Sequence, residues 1–523
     1  MMINTAGKMC RSQPDRGTKN RARGWEKQRS SRLPLLWLAG WLFAQVPACL
    51  AATYCVAPGG SDSNPGTTNL PWRTIQKAAG TLSAGDTATI LPGIYSERPR
   101  LTRSGRPGAP ITFEAQPGTV SQGFIVTADY ITIKGFEIWN TNYVRNSTLL
   151  SSGIHLKGAY VAIVSNYIHD CALVGIELYG PRGVTNTHHC TLAYNRLYHN
   201  ELVGCDVNGF NHLVVSNEVW RSCQCHTNLT QVEDHAADNP AHLPCPFYPA
   251  VPSLDADGMR FFGSGHRFIG NYIHDIPLGP PGINPAIDDY NDTPHIDCFQ
   301  TWDDWSHLAA TNILFERNFL DNYSVGRDSK GRTQTTRGFQ LGPGASDITI
   351  RNNIIRACSG VNATGCSNLI VVNNTFAGTR VIGEDWLSDG VSFGRVTNAM
   401  IANNVFLDMA RFSVGQASPG SNLVSRHNIE WRRDGRPTPL PWPAYRFPQA
   451  AADWHVNPRL VAPDAQPKGD YRLQAGSPAI HAGANLGGLV PTDFDGNPRP
   501  TNQNYTIGAF EYAASPTPTL GAP

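Results

Sequence analysis

A series of polar residues recurs inside short segments of the form Gly-apolar-X-apolar along this 523-residue chain. In an extended strand the two apolar neighbours face one side and residue X faces the other. The six X residues are His155, Glu177, Asp206, Arg260, Gln300 and Gln340. Stacked in parallel, they form one exposed row of acids, bases and amides, here called the polar stripe. Such a row on a rigid surface predicts acid–base chemistry.

The stacking itself is predicted by a second repeat, in which two apolar residues precede an asparagine. The recurring asparagines are Asn166, Asn195, Asn217, Asn271, Asn318, Asn353, Asn374 and Asn404. Short β-rich repeats that lack a core of their own must stack to bury one, and an Asn at the same turn of each coil can hydrogen-bond to the next. The sequence predicts an all-β fold, a right-handed parallel β-helix, with a short N-terminal cap helix at Thr74–Leu82 over the open end.

The distance between the two repeats is uneven. Insertions separate Asn217 from Arg260 and Asn271 from Gln300, and a third precedes Gln340. All three fall at the same turn of successive coils, so we expect them to form a wall beside the polar stripe. Irregular loops on a regular scaffold are where function usually resides, which places the candidate site at these coils.

Composition narrows the class of protein. The chain has 42 Lys and Arg against 41 Asp and Glu, a net charge of +1, which argues against nucleic acid as a partner. A basic leader precedes an apolar run at 33–46 that is too short to span a membrane. We therefore expect a signal peptide and a monomeric protein that is secreted or periplasmic, with association to the cell surface as a further option.

Four segments are predicted from these features. The leader and signal peptide occupy 1–52, and the β-helix occupies 53–430. A closing segment follows at 431–514, and a Pro/Thr-rich tail at 515–523.

The chain has 12 cysteines, and export to an oxidising compartment favours disulfide bonds among them. Cys223, Cys225 and Cys245 share one insertion. Cys358 and Cys366 are expected to bridge a turn.

Both ends of the chain resemble known β-helix proteins. The segments 54–62, 72–78 and 91–95 resemble the opening of secreted bacterial β-helix proteins that act on carbohydrates. Ser477-Pro478-Ala479-Ile480, 495–499 and 507–511 resemble the segment that closes such helices in bacterial surface proteins. These resemblances concern the architecture and carry little information about a reaction.

The middle of the chain resembles family 9 polysaccharide lyases, which are calcium-dependent and pectate lyase-like. The matching stretches are 256–259, 296–300 and 338–342. The resemblance implies a Ca²⁺ held by Asp257 and Asp297. The chain departs from the family pattern where Ile296 and Gln300 replace aspartates and where Gln340 replaces the catalytic lysine, and a glutamine cannot serve as a base.

Eliminative cleavage of a uronic acid polymer needs a cation beside the substrate carboxylate and a base for the C5 proton. The candidate catalytic residues are Arg260, His295, Asp297 and Lys330. The candidate substrate-binding residues are Glu177, Asp206, Gln300, Trp302 and Gln340. Asp255 and Asp206 are further oxygen donors for a metal.

Other interpretations of the same residues remain open. Asp257 and Asp297 could act only as turn formers, and Arg260 could form a surface salt bridge. Pairs among Glu177, Asp206, Asp257 and Asp297 could serve a glycoside hydrolase, and an epimerase is a related option. A β-helix that binds carbohydrate or decorates a surface without catalysis is the third class.

Overall fold

Three parallel β-sheets wind around a common core in a computed structural model of the protein. The model describes residues 51–142, 147–180, 182–183, 186–200, 202–222, 257–276, 296–304, 306–323, 325–327, 333–378, 388–435 and 453–512. Most coils contribute one strand to each sheet, and each strand pairs in parallel with the strand one coil away. Connections between parallel strands are right-handed. The predicted right-handed parallel β-helix is confirmed.

The strands of the first sheet carry the polar stripe. They are Arg100–Leu101, Phe124–Val126, Ile154–Leu156, Val174–Leu178, Val203–Phe210, Asp257–Ser264, Asp297–Thr301, Arg337–Leu341, Ser359–Thr364, Asp389–Gly394 and Phe412–Ser418.

The second sheet follows the first in each coil. Its strands are Thr53–Val56, Thr87–Ile90, Ile111–Ala115, Ile131–Lys134, Ala162–Val164, Thr191–Ala193, Leu213–Val215, Arg267–Ile269, Thr311–Glu316, Ser346–Arg351, Ser367–Val372, Thr397–Ala402 and Ser421–Arg426.

The third sheet completes each coil with 13 strands. They are Gly93–Tyr95, Thr119–Ser121, Glu137–Trp139, Tyr167–His169, Arg196–Tyr198, Glu218–Trp220, Tyr272–His274, Phe319–Asn322, Ile354–Ala357, Thr375–Ala377, Val405–Leu407, Ile429–Trp431 and Trp454–His455. Two short antiparallel pairs lie outside the coils: Val325–Arg327 with Thr333–Thr335, and Leu460–Ala462 with Asp470–Leu473. The helices are Ile75–Thr81, Thr148–Ser151 and the 3₁₀ turn Gly487–Leu489.

The predicted asparagines form a continuous ladder at the turn between the second and third sheets. Each amide donates to the side-chain oxygen one coil further on, as in Asn217 to Asn271 (3.0 Å) and Asn271 to Asn318 (3.0 Å). The residue before each ladder Asn has a positive φ, for example Ser216 at 53°. This left-handed residue turns the chain sharply. The Asn side chain then forms hydrogen bonds with buried backbone groups that the turn leaves without partners.

Stacked apolar side chains fill the space between the sheets. Phe261, Phe268, Phe299, Phe315 and Phe339 are all fully buried and lie within 4.7–6.4 Å of their ring neighbours. Burial of rings of this size contributes about 2 to 3 kcal/mol each before chain entropy is counted. The core therefore fixes which face of each strand points outward, and with it the polar stripe.

The helix Ile75–Thr81 lies where a cap helix was predicted. Thr74 accepts a hydrogen bond from the Lys77 amide (3.0 Å), and Ile75 is among the helix residues turned into the core. Its role in covering the open end stays a prediction.

The C-terminal residues 453–512 pack along the side of the β-helix. Leu460, Tyr471 and Phe510 contact Phe319 and Ile354, which face outward from the third sheet. The strand Trp454–His455 extends that sheet by one further coil. The leader at 1–50 and the tail at 515–523 lie outside the described residues.

The predicted disulfide between Cys358 and Cys366 is wrong. Both are free thiols, as are all seven cysteines that the described part of the chain contains. The strand Ser359–Thr364 runs between the two residues and separates them by roughly 20 Å. A disulfide requires Cα atoms about 4.4 to 6.8 Å apart. Cys223, Cys225 and Cys245 lie outside the described residues.

Candidate functional site

The six stripe residues stand directly beside one another on the first sheet. His155 pairs with Glu177, Glu177 with Asp206, and Asp206 with Arg260. Arg260 pairs with Gln300, and Gln300 with Gln340. The register predicted from the repeats is confirmed. The row continues through Asn362 to Ser392.

The prediction that the whole stripe is exposed is wrong. His155, Glu177 and Gln300 are buried, at 1%, 4% and 5% exposure, while Asp206 and Arg260 between them are partly exposed. The Tyr179 ring lies 5.1 Å from that of His155 and contributes to its burial. The accessible centre of the stripe is therefore the pair of Asp206 and Arg260.

His155 and Glu177 form a buried acid–base pair at one end. His155 Nδ1 lies 2.5 Å from Glu177 Oε2. The Lys157 ammonium sits 4.1 Å from the Tyr179 ring centre, above this pair. The Glu177 carboxylate is thus held in place one coil from Asp206.

Asp206 has the properties of a general acid or base. Burial, with a further contribution from the negative charge of Glu177, raises its pKa to about 7, against the opposing effects of Arg260 and a hydrogen bond from Asn208. The Asn208 amide donates to Asp206 Oδ1 at 2.7 Å. A carboxyl that titrates near neutrality can take up or release a proton at physiological pH.

Arg260 belongs to a network of charges at the edge of the stripe. Its Nε donates to Asp257 Oδ2 at 2.6 Å, and the Asp297 backbone N–H donates to Asp257 Oδ1 at 3.1 Å. Arg337 Nη1 donates to Asp297 Oδ1 at 3.3 Å. A guanidinium bound to a carboxylate stays charged, so Arg260 suits the role of a fixed cation rather than that of a base.

Gln300 and Gln340 continue the stripe with amides. Gln340 accepts a hydrogen bond from the Asn362 amide at 2.8 Å. Gln300 Oε1, Asn208 Oδ1 and His155 Nε2 are buried and have no hydrogen-bond partner among the described residues. Buried polar atoms without partners are costly, so these three atoms are available to a hydrogen-bonding ligand or water.

Trp302 stands two residues beyond Gln300 and is partly exposed. Its indole N–H donates to Asp304 Oδ2 at 2.7 Å, and its ring meets Phe262 edge to face at 4.7 Å. The Arg260 guanidinium lies 5.4 Å from the Trp302 ring centre. Trp302 is therefore packed against Phe262 and partly exposed beside Arg260, and its predicted role in binding substrate stays a prediction.

Several predicted residues cannot be placed. His295, Lys330 and Asp255 lie outside the described residues, as do the insertions 223–256 and 277–295. Sequence reasoning missed Asn208 and Arg337. The register could have identified both. Asn208 stands two residues after Asp206, as Trp302 does after Gln300. Arg337 stands three residues before Gln340, as Asp297 does before Gln300.

The donor set around Asp257 and Asp297 does not fit the predicted calcium ion. Both side chains are fully buried, and each binds an arginine. Within the described residues no group of three or more His, Cys, Asp or Glu side chains is arranged to hold a metal. Ca²⁺ prefers six to eight oxygen ligands, whereas here cationic nitrogen atoms bind the two carboxylates.

Comparison with known proteins identifies the architecture. Residues 54–231 match the family model described as "Pel9A-like, right handed beta helix region". The chain is 32% identical over 130 residues to the uncharacterized protein YwoF of Bacillus subtilis, which covers 22% of this chain and 28% of YwoF. It is 38% identical over 81 residues to pectate lyase PEL9 of Emericella nidulans, covering 15% and 20%.

The chain thus spans less than a third of the length of either curated relative. Among solved structures, XylC in complex with xylose superimposes with a TM-score of 0.51 at 11% identity, over 88% of this chain and 98% of XylC. In the described part of the chain no helix is long and apolar enough to cross a membrane. The chain is a right-handed parallel β-helix protein whose residues 54–231 resemble Pel9A.

Proposed function

We propose that the protein is an exported polysaccharide lyase that cleaves a uronic acid-containing, pectate-like polymer by β-elimination. The observation that carries the proposal is the accessible pair of Asp206, with a pKa near 7, and Arg260 one coil away. The partial match to pectate lyase PEL9 and the Pel9A-like coils support the same class of enzyme.

The mechanism assigns one role to each member of the pair. Arg260 binds the carboxylate of the uronic acid and stabilises the negative charge that develops at C5. Asp206, ionised, removes the C5 proton. The electron pair forms the C4–C5 double bond, the bond from C4 to the glycosidic oxygen breaks, and the departing oxygen takes a proton from water. Gln340 and Trp302, which are partly exposed, would contact the sugars on either side.

Asp206 replaces the lysine that the family pattern places on a later coil. Its carboxylate is the conjugate base of an acid with a pKa near 7, so it is a stronger base than an ordinary aspartate. The same shift predicts that turnover rises with pH through about 7 as Asp206 loses its proton.

Calcium was implied by the resemblance to family 9 lyases. The arginines bound to Asp257 and Asp297 favour a reaction in which guanidinium groups supply the positive charge. Activity that persists in EDTA would support this assignment. Activity that depends on added Ca²⁺ would contradict it and point to ligands outside the described residues.

A glycoside hydrolase is the second candidate, because Glu177 and Asp206 are carboxylates on adjacent coils about 5 Å apart along the axis. A protonated Asp206 could act as the acid and Glu177 as the nucleophile. Two features favour the lyase: Glu177 is buried against His155, and Arg260 offers a binding site for a carboxylate.

The test measures turnover of polygalacturonate by ultraviolet absorbance of the unsaturated product. Asp206→Asn and Arg260→Ala should each lower turnover by at least about a hundredfold. Ser392→Ala, which changes the same stripe four coils beyond Arg260, is the matched control and should stay within about twofold. Full activity in both stripe variants would refute the assignment.

A further inference from the structure

Arg182 joins two segments that are far apart in the sequence. Its Nη1 donates to Asp303 Oδ1 (2.6 Å), to the carbonyl of Asp304 (2.6 Å) and to the carbonyl of His307 (3.1 Å). Its backbone N–H donates to the carbonyl of Ser306 at 2.7 Å. Four hydrogen bonds from one residue therefore hold the short segment after Trp302.

The hydrogen bonds of Arg182 link coils that are not adjacent. It follows the strand of Glu177, whereas Trp302 follows the strand of Gln300, three coils further on in the register. Stacked coils are about 4.8 Å apart, so the link runs roughly 14 Å along the β-helix axis. It passes beside the coils of Asp206 and Arg260, where the proposed chemistry takes place.

The segment held by Arg182 fixes the Trp302 indole. Burial acts to raise the pKa of Asp304, but hydrogen bonds from Trp302, Ser306 and His307 hold it well below its usual range, so Asp304 stays an ionised acceptor. The His307 ring stacks on Phe262 at 4.2 Å. Trp302 is thus restrained through Asp304 and through Phe262.

No side chain packs on Trp302 from the equivalent position one coil further on. The equivalent position on the next coil is Gly342, which has no side chain. Beside it Gln340 and Asn362 form a row of amides that can hydrogen-bond to hydroxyl groups. An aromatic ring next to amide groups is a common arrangement for binding a sugar ring, which offers an apolar face and a rim of hydroxyls.

We propose that Arg182 is a positioning residue for a sugar subsite formed by Trp302, Gln340 and Asn362. It holds Asp303, Asp304, Ser306 and His307 through hydrogen bonds, and Asp304 in turn holds the indole at the edge of the polar stripe. The ring is therefore in position before a polysaccharide chain binds along the stripe. The inference rests on the proposed function, because the subsite serves the sugar next to the one that reacts at Asp206. Preorganised contacts of this kind increase affinity more than the rate of the chemical step.

The experiment compares Arg182→Ala with Arg182→Lys, whose ammonium can still donate to the same three oxygens. Arg182→Ala should raise KM for polygalacturonate about fivefold, the effect of losing roughly 1 kcal/mol of binding, with kcat within about twofold. Arg182→Lys should recover most of the affinity. The control is Arg73→Ala, which removes an exposed arginine far from Arg182 in the sequence and should leave KM unchanged.

A second measurement is independent of turnover. In an Asp206→Asn background, calorimetry with a galacturonate hexamer should show the same loss of affinity for Arg182→Ala. Combining Trp302→Ala with Arg182→Ala should cause no further loss of affinity. Wild-type affinity in Arg182→Ala would overturn this inference alone. No binding of the hexamer by the parent variant would overturn the inference together with the proposed function.

Discussion

Replacing Asn271 by Leu should destabilise the fold, because this residue is a fully buried rung of the Asn ladder. Its Oδ1 accepts from the backbone N–H and the amide of Asn217, both at 3.0 Å. Its Nδ2 donates to the Val214 carbonyl at 2.9 Å and to Asn318 Oδ1 at 3.0 Å. A leucine of similar size removes all four hydrogen bonds.

The four losses are unequal. Asn318 Oδ1 keeps the Asn271 backbone N–H, and the Asn217 amide keeps the Leu192 carbonyl. The Asn217 backbone N–H loses its acceptor and becomes a buried donor without a partner, which costs about 1 to 3 kcal/mol. With roughly 1 kcal/mol for the remaining bonds, we expect a loss of about 2 to 4 kcal/mol in the free energy of unfolding.

Urea unfolding followed by circular dichroism and by tryptophan fluorescence measures this loss. The two probes should give coincident transitions, since a solenoid can unfold in parts. Asn422→Asp is the control. It removes an exposed hydrogen bond from Asn422 to Asn398 (2.9 Å) at a residue that also has a positive φ of 54°. It should change the free energy of unfolding by less than about 0.5 kcal/mol. A loss below about 0.5 kcal/mol for Asn271→Leu would refute the energetic role of the ladder.

Three further predictions concern buried groups. Burial lowers the pKa of His266 to about 4 and that of His212 well below its usual value, so these groups bind more protons in the unfolded chain between about pH 4 and 6.5, and His266 contributes stability that rises with pH by roughly 3 kcal/mol across this window. Because the raised pKa of Asp206 acts in the opposite direction, the test compares the wild type with His266→Gln: the stability lost by the variant should be smaller at pH 4.5 than at pH 7, and an equal loss at both would contradict this. Cys358 and Cys366 should react with a thiol reagent only after unfolding, because both are buried; rapid labelling of the native protein would argue against their placement. Asp297→Asn should lower stability through the loss of the Arg337 ion pair, whereas Arg337→Gln together with Asp297→Asn should restore part of it, as unfolding curves of the wild type and these two variants will show.

The fold and the register of the site could be predicted from the sequence because each coil repeats the same local pattern. A Gly-apolar-X-apolar segment can bury its apolar residues only if X points outward, so the neighbours of Asp206 and Arg260 followed from the spacing alone. The exposure of the stripe could not be predicted in this way. Glu177 and Gln300 face outward from the sheet but are buried in the folded protein.

Contacts between segments of different coils also escaped the sequence. Asp297 and Arg337 are the first residues of two paired strands, and nothing in the segment around Asp297 distinguishes an ion-pair partner from a calcium ligand. The reach of Arg182 to Asp303 depends on the path of a loop across three coils. Cys358 and Cys366 are close in sequence, yet a single strand between them is long enough to prevent a bond.

The product formed by the wild-type protein tests the central claim most directly. Purified mature protein should be incubated with polygalacturonate in EDTA, and ultraviolet absorbance and new reducing ends should be measured on the same samples. The account predicts that both increase together, because each elimination creates one conjugated double bond and one reducing end. Reducing ends without absorbance would establish hydrolysis and contradict the assignment of Asp206 as the base of an elimination.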